Sequence, residues 1–99
     1  MLVGGTPLHT FELEKDLPNV ADLLISYAQN ERVILRKRLA DCTLGKNTIS
    51  TRLTQDDTIR FNDTHRVTIQ LKIKTDTGEV IVSDPILVNT SRCLDLEVI

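Results

Sequence analysis

Aromatic residues are nearly absent from this 99-residue chain, which has two phenylalanines, one tyrosine and no tryptophan. A core without large rings must be built from Val, Ile and Leu, and these side chains suit the pleated surface of a β-sheet. The scarcity also argues against sites that stack a ligand on exposed rings, such as sugar-binding platforms and single-stranded nucleic-acid sites. The composition therefore favours an aliphatic sheet protein.

Cysteine is also scarce, and Cys42 and Cys93 are too few for a disulfide framework. Neither stands at a zinc-site spacing from the other or from a histidine. No apolar run reaches the ~20 residues that cross a membrane, and the N-terminus lacks the charged start and apolar stretch of a signal peptide. We therefore expect free, reduced thiols and a protein made in the cytoplasm, with no membrane partner.

Neither sign of charge is in large excess, because twelve basic and fourteen acidic residues leave a net charge of -2. This balance argues against bulk attraction to nucleic acid or to a membrane surface. The length is that of one ordinary domain. We expect a flexible leader over residues 1–5, where two glycines resist regular structure, and a single β-sandwich domain over residues 6–99.

The clearest structural pattern lies in residues 66–74, where apolar and polar residues alternate without a break. Period two places one set of side chains on the inner face of a strand: Val67, Ile69, Leu71 and Ile73. Residues 75–79, which include Gly78, predict a hairpin turn, and residues 80–82 return as the partner strand. This stretch is predicted to be a half-buried antiparallel strand.

Other alternating runs predict strands at residues 9–13, 20–29, 33–39, 48–53 and 86–88, with a further short strand through Cys42 and Leu44 as an option. The side chains expected to face inward are Phe11, Leu13, Leu23, Ile25, Tyr27, Val33, Leu35, Leu39, Ile49 and Leu53. Residues 20–29 also fit a helix, because Val20, Leu23, Leu24 and Tyr27 recur at helical spacing. We favour the strand, since Asn30 and Glu31 then form a short turn into the next alternating run.

Two interruptions shape the rest of the pattern. Thr54 can cap a short helical turn near residues 54–58, with Asp57 in the acidic position of a capping box; an acidic metal site is the less favoured interpretation of that corner. Pro85 breaks the last strands and requires an edge, a bulge or a crossing point there. Together the elements predict an all-β fold, an immunoglobulin-like antiparallel β-sandwich of about seven strands with one short helical turn.

The sequence offers no constellation for catalysis or for a bound metal or cofactor. The two histidines, His9 and His65, lie in or beside predicted strands, and no nucleophile motif accompanies them. We expect His65 to be a partly buried structural side chain. No glycine-rich stretch has the strand-to-helix context of a phosphate-binding loop. The chain is therefore predicted not to be an enzyme and to use no cofactor, metal or small-molecule substrate.

One candidate binding surface emerges from the outward-facing positions of two strands. If residues 33–39 and 66–74 belong to one sheet, their outer faces combine into a basic patch of Arg36, Arg38, Lys72 and Lys74. Such a patch could bind an acidic protein surface or nucleic acid. The favoured alternative is a solvated face that keeps the sheet soluble and deters edge pairing.

Several short blocks together resemble small single-domain proteins encoded in phage and prophage structural regions of Gram-positive bacteria. The blocks are residues 6–11 (TPLHTF), 27–30 (YAQN), 41–44 (DCTL), 53–58 (LTQDDT), 67–70 (VTIQ) and 92–95 (RCLD). The resemblance implies an immunoglobulin-like sandwich with a virion-associated or assembly role near the tail or baseplate. It also implies synthesis in the cytoplasm of a bacterial host. The resemblance identifies no functional residues in this chain.

These observations lead to three hypotheses from different classes. The first is a non-enzymatic phage structural or accessory protein that binds other phage proteins or itself, for which the tail after Val88 could pair with a neighbouring subunit. That tail carries Leu94, Leu96 and Val98 in weak alternation. The second is a carbohydrate-binding module for the host surface, and the third is a small prophage DNA-binding regulator that would rely on the basic patch alone.

Overall fold

A computed structural model describes all 99 residues, and eight short strands dominate it. In chain order they are β1 (Leu8–Glu12), β2 (Val20–Gln29), β3 (Arg32–Arg38), β4 (Cys42–Leu44), β5 (Thr48–Arg52), β6 (Val67–Thr75), β7 (Val80–Val82) and β8 (Ile86–Val88). A 3₁₀ turn at Leu39–Asp41 and one turn of helix, α1 (Gln55–Thr58), complete the elements. The short strand through Cys42 and Leu44 is therefore present as β4.

The strands form two antiparallel sheets that enclose one largely aliphatic core. The smaller sheet has the order β1-β5-β4. The larger has the order β3-β2-β6, and both β7 and β8 pair with β6 at its far edge. The core contains side chains from both sheets, among them Ile49 of β5 and Ile25 of β2. The prediction of an all-β, sandwich-like fold is confirmed at this level.

The centre of the larger sheet is the long pairing of β2 with β6, and it follows the predicted alternation. The inward set of β6 (Val67, Ile69, Leu71, Ile73) is at most 4% exposed. Leu23, Ile25 and Tyr27 of β2 are at most 1% exposed on the same side. The strand interpretation of residues 20–29 is thus confirmed. Because residues 30 and 31 both have positive φ (50° and 63°), they suit the two-residue turn that joins β2 to β3.

A bulge changes the inward set that was predicted for β3. Tyr27 lies opposite Leu35, but its neighbour Ala28 lies opposite Val33, so Ile34 is the extra residue. Leu35 is buried as expected, whereas Val33 is 39% exposed and joins the outer face. The prediction that Val33 faces inward is wrong, because strict alternation does not survive an inserted residue.

The first five residues, expected to form a flexible leader, are packed against the sandwich. Val3 is 2% exposed and belongs to the core, and its N–H donates to the Ser91 carbonyl. The buried Thr58 hydroxyl donates to the Gly5 carbonyl (2.8 Å) and accepts from the Gly4 N–H (3.0 Å). These long-range contacts fix the start of the chain to α1 and to the segment after β8.

The predicted capped corner is present at α1. The Thr54 hydroxyl accepts from the Asp57 N–H, and the Asp57 carboxylate accepts from the Thr54 N–H at 2.9 Å. Phe61, 4% exposed, packs the following residues into the core. His65, in contrast, is exposed, and the expectation that it is partly buried is wrong because the loop before β6 carries it into solvent.

The break at residues 83–85 divides one edge strand into two pieces on the same side of β6. Ser83 holds the break in place, since its N–H donates to the Leu71 carbonyl and its hydroxyl accepts from the Leu71 N–H. The side chain thus replaces the backbone carbonyl that a continuous strand would offer. The predicted interruption around Pro85 is confirmed as an edge feature.

Candidate functional site

The two sheets differ in width, and the difference leaves part of the larger sheet uncovered. The larger sheet extends one strand past β6 through β7 and β8. Ile81 lies opposite Ile73, and Ile86 opposite Ile69, so both point toward the core side of the sheet. Yet Ile81 is 42% exposed and Ile86 is 40% exposed, although their partners are buried. The apolar inner face therefore continues beyond the edge of the smaller sheet.

A groove of about 500 Å³ lies in this place, between β1 and the broken edge strand. One wall is made by six consecutive residues, 8–13. The floor and the other wall are almost entirely aliphatic and comprise Ile69, Leu71, Ser83, Ile86 and Val88. A strand that presented only one side-chain face would contribute every second residue. Six residues in succession indicate that the backbone edge of β1 faces the groove.

The hydrogen-bond pattern of β1 supports this orientation. The Pro7 carbonyl accepts from Leu53 (3.0 Å) and the Leu13 N–H donates to Asn47 (2.8 Å), so the odd-numbered residues bond to the β5 side. In an antiparallel ladder the intervening residues direct their N–H and C=O groups the other way. Leu8, Thr10 and Glu12 therefore present a row of backbone donors and acceptors on the free edge.

His9 is the titratable side chain of the groove that reaches furthest inward. Its Nδ1 shares a hydrogen bond of 2.8 Å with the Tyr27 hydroxyl, and the two rings stack with centroids 5.6 Å apart. Burial, followed by the positive charge of the N-terminus, lowers the pKa of His9. Burial raises the pKa of Tyr27, with smaller contributions from Cys42 and Asp57. Both groups are therefore neutral at neutral pH, which suits a packing role.

The basic patch that was predicted from the sequence does come together on the outer face of the larger sheet. Arg38 and Lys72 both lie opposite Leu24, one on each side, because β2 separates β3 from β6. Arg36 lies one row away, and Lys74 lies opposite Asp22, the acidic residue of this face. All four basic side chains are exposed. The arrangement is a solvent-facing surface on the side of the sheet away from the groove.

The acidic corner at α1 is occupied by contacts within the protein. Asp57 pairs with Lys37 at 2.8 Å, and both side chains are largely buried at 17% and 12% exposure. Burial by itself raises the pKa of Asp57, but the hydrogen bonds from Lys37 and from the Thr54 N–H outweigh it and lower the pKa overall. No three metal-ligating side chains converge anywhere in the chain. The geometry of this corner agrees with the cap rather than with the metal-site interpretation.

The two cysteines are both free. Burial raises the pKa of Cys42, whose thiol donates to the Arg38 carbonyl at 3.3 Å, and this keeps the thiol protonated at neutral pH. A protonated thiol is a weak nucleophile and a poor metal ligand. Cys42 therefore has the character of a packing residue beside the core.

The groove is the site that sequence reasoning did not find. Its β1 wall was predicted as a strand, but the position of β1 at a sheet edge depends on which strands pair. One signal was present: residues 80–82 and 86–88 are apolar on both faces, which is unusual for an edge strand in water.

Comparison with known proteins identifies no relative: no family model, no curated protein and no solved structure matches this chain. None of the helices has the length and apolar character needed to cross a bilayer.

Proposed function

We propose that this protein is a non-enzymatic interaction module that binds an extended segment of a partner protein in the groove beside β1. The observation that carries the proposal is the free backbone edge of β1 next to an apolar groove whose far wall includes the 40% exposed Ile86. Strand edges that expose unpaired N–H and C=O groups are templates for pairing with another chain. Here the edge and the floor lie together, so one bound strand could use both.

The groove supports a two-part mode of binding. Leu8, Thr10 and Glu12 would exchange main-chain hydrogen bonds with the incoming strand, which gives affinity with little dependence on sequence. Alternate side chains of that strand would pack against Ile86 and Val88, above the buried Ile69 and Leu71, which selects for apolar residues at every second position.

We propose, on the resemblance of its sequence blocks, that this module serves as a structural or accessory protein of a phage or prophage, near the tail or baseplate. The immunoglobulin-like character of the sandwich is part of the same proposal. Its partners are other phage structural proteins or further copies of itself. The sugar-binding alternative is less well supported, because Tyr27 and Phe61 are 0% and 4% exposed and could not form a stacking platform.

Co-expression with the products of the adjacent genes tests the proposal, and Thr10→Pro supplies the diagnostic variant. Proline removes the Thr10 N–H, which points into the groove, and spares the ladder to β5. We expect a tail or baseplate product to co-purify with the wild type and to be lost with Thr10→Pro.

Leu44→Pro is the matched control for that experiment. Leu44 lies in β4, at the opposite edge of the smaller sheet. The Gly45 N–H donates to the Thr48 carbonyl, so the adjacent Leu44 N–H points away from β5, as that of Thr10 does. Equal loss of binding in both variants, or equal retention in both, would overturn the assignment of the groove.

A further inference from the structure

The edge strand of the larger sheet, which faces β1 across the groove, restricts what can enter the groove. A second sandwich approaching β1 would meet the edge strand of the larger sheet, because Ser83, Ile86 and Val88 line the groove across from β1. Adjacent strands of a sheet lie about 4.8 Å apart, so a strand that pairs with β1 would lie beside this wall, and a partner with a second layer behind that strand would meet the wall first. The occupant must be a single extended segment free of its own sheet.

Residues 94–98 of this chain have these properties. They belong to no strand, and their apolar members are exposed: Leu94 is 101%, Leu96 is 49% and Val98 is 50% exposed. Beyond them, the Ile99 N–H donates to the Gln55 side chain at 3.0 Å. The chain ahead of the segment is anchored by the ion pair of Arg92 with Asp63 at 3.0 Å. Leu96 lies beside Gly4, and Val98 lies near Thr6 and Leu53, so the segment leaves the surface by giving up these contacts and the Ile99 bond while the sandwich stays intact.

The segment and the groove agree in length and in pattern. Five residues, 94–98, match the five residues of β1 (Leu8–Glu12). In an extended conformation the three apolar side chains point to one side and Asp95 and Glu97 to the other. The apolar side would pack into the groove against Ile86 and Val88, and the acidic side would face water on the outer surface of the smaller sheet.

Charge selects one antiparallel register. With Asp95 opposite Thr10, Glu97 lies opposite Leu8, whose neighbour across the ladder is Arg52. A shift of two residues in one direction places Asp95 directly opposite Glu12, and like charges in that position are destabilising. A shift in the other direction moves Glu97 beyond β1 and loses part of the ladder. The first register pairs Thr10 with Asp95 and Leu8 with Glu97 along the main chain and avoids the repulsion.

We propose that the groove binds residues 94–98 of a second copy of this protein, as an antiparallel strand with Asp95 opposite Thr10. This rests on the proposed function of the groove and names its partner. Each copy has one donor segment and one acceptor groove, and the two are made of different residues. Such a head-to-tail interface is heterologous, so it closes into a ring or grows into a filament rather than forming a two-fold dimer.

A complementation experiment tests the proposal with two variants of the full chain. Thr10→Pro blocks the acceptor and keeps the donor segment, whereas Leu94→Ser/Leu96→Ser removes the donor contacts and keeps the groove. By sedimentation velocity the wild type should form species larger than a dimer. Each variant alone should associate at least about tenfold more weakly, and an equimolar mixture should form a one-to-one dimer.

Leu87→Ser is the matched control, because Leu87 is 61% exposed but lies opposite Thr68, on the outer face away from the groove. It should leave self-association unchanged. A monomeric wild type at every concentration tested, or a mixture that stays monomeric while both variants melt like the wild type, overturns the proposal.

A cross-link keeps the test decisive even if a variant fails to fold. In a background with both native cysteines changed to serine, Thr10→Cys in one chain and Asp95→Cys in another should form an intermolecular disulfide under mild oxidation. Residues directly opposite across a ladder lie within the reach of a disulfide. Replacing Asp95→Cys by Glu97→Cys should abolish the bond, and equal cross-linking at both positions would refute the register.

The outcomes separate this inference from the proposed function. If wild type stays monomeric but a neighbouring gene product still binds in a manner sensitive to Thr10→Pro, the groove is a strand acceptor with a different donor. If neither the second copy nor any neighbour binds through β1, both proposals fail.

Discussion

At the scale of single residues, His9 links the groove to the core, because its ring faces the groove and bonds to the buried Tyr27. The pKa of His9 is lowered in the folded protein, so the unfolded chain binds this proton more readily. The contribution of the neutral ring to the free energy of unfolding is therefore fully present above the pKa of histidine in the unfolded chain, about 6.5. It is lost as the pH falls below that value. Denaturant unfolding between pH 8 and pH 5 should show this loss.

His9→Gln should flatten the pH dependence in that window, since glutamine cannot take up the proton. His65→Gln is the control, because the His65 residue is exposed. A wild-type stability that does not change from pH 8 to pH 5 would contradict the assigned role of the His9–Tyr27 contact.

A second residue-scale prediction uses neighbours on opposite faces of β6. Leu71 is 3% exposed and packs in the core, whereas Lys72 is exposed on the outer face. Leu71→Ala should lower the free energy of unfolding by about 2–5 kcal/mol, because it removes buried methyl groups and leaves a cavity. Lys72→Ala should change it by no more than about 0.5 kcal/mol. Similar losses for both, measured by chemical denaturation, would mean that the two faces do not differ as described.

At the scale of elements, the outer basic face can be separated from the fold. Replacing Arg36, Arg38, Lys72 and Lys74 together by Gln removes four exposed charges and no buried contact. We expect a thermal midpoint close to that of the wild type and unchanged self-association. If association or partner binding is lost while the midpoint holds, the outer face, and not the groove, is the working surface.

At the same scale, some structural features could be predicted from the sequence and others could not. Alternation is a local signal, so β2, β6 and the turn containing Gly78 were predicted, and Thr54 with Asp57 marked the capped corner. Pairing between distant strands leaves no such signal. The bulge that exposes Val33, the packing of Val3 and the edge position of β1 all depend on contacts between segments far apart in the chain. The groove is made by those contacts, and for that reason it was missed.

At the scale of the whole molecule, the uneven width of the two sheets should be visible as an alternating exchange pattern in β1. The amides of His9, Phe11 and Leu13 bond toward β5, whereas those of Leu8, Thr10 and Glu12 point into the groove. In dilute protein the first set should exchange with solvent slowly and the second set quickly, because the free edge amides have no hydrogen bond that must open before exchange.

Assembly should then slow the hydrogen exchange of only those β1 amides that point into the groove. When a strand occupies the groove in the proposed register, Leu8 and Thr10 gain hydrogen bonds, and the exchange of their amides should slow with rising protein concentration or with added partner. The amides of His9, Phe11 and Leu13 are already bonded and should change little. Uniform slow exchange along β1 in dilute protein, followed residue by residue by NMR, would show that the edge is not free, and the groove could not then accept a strand by main-chain pairing.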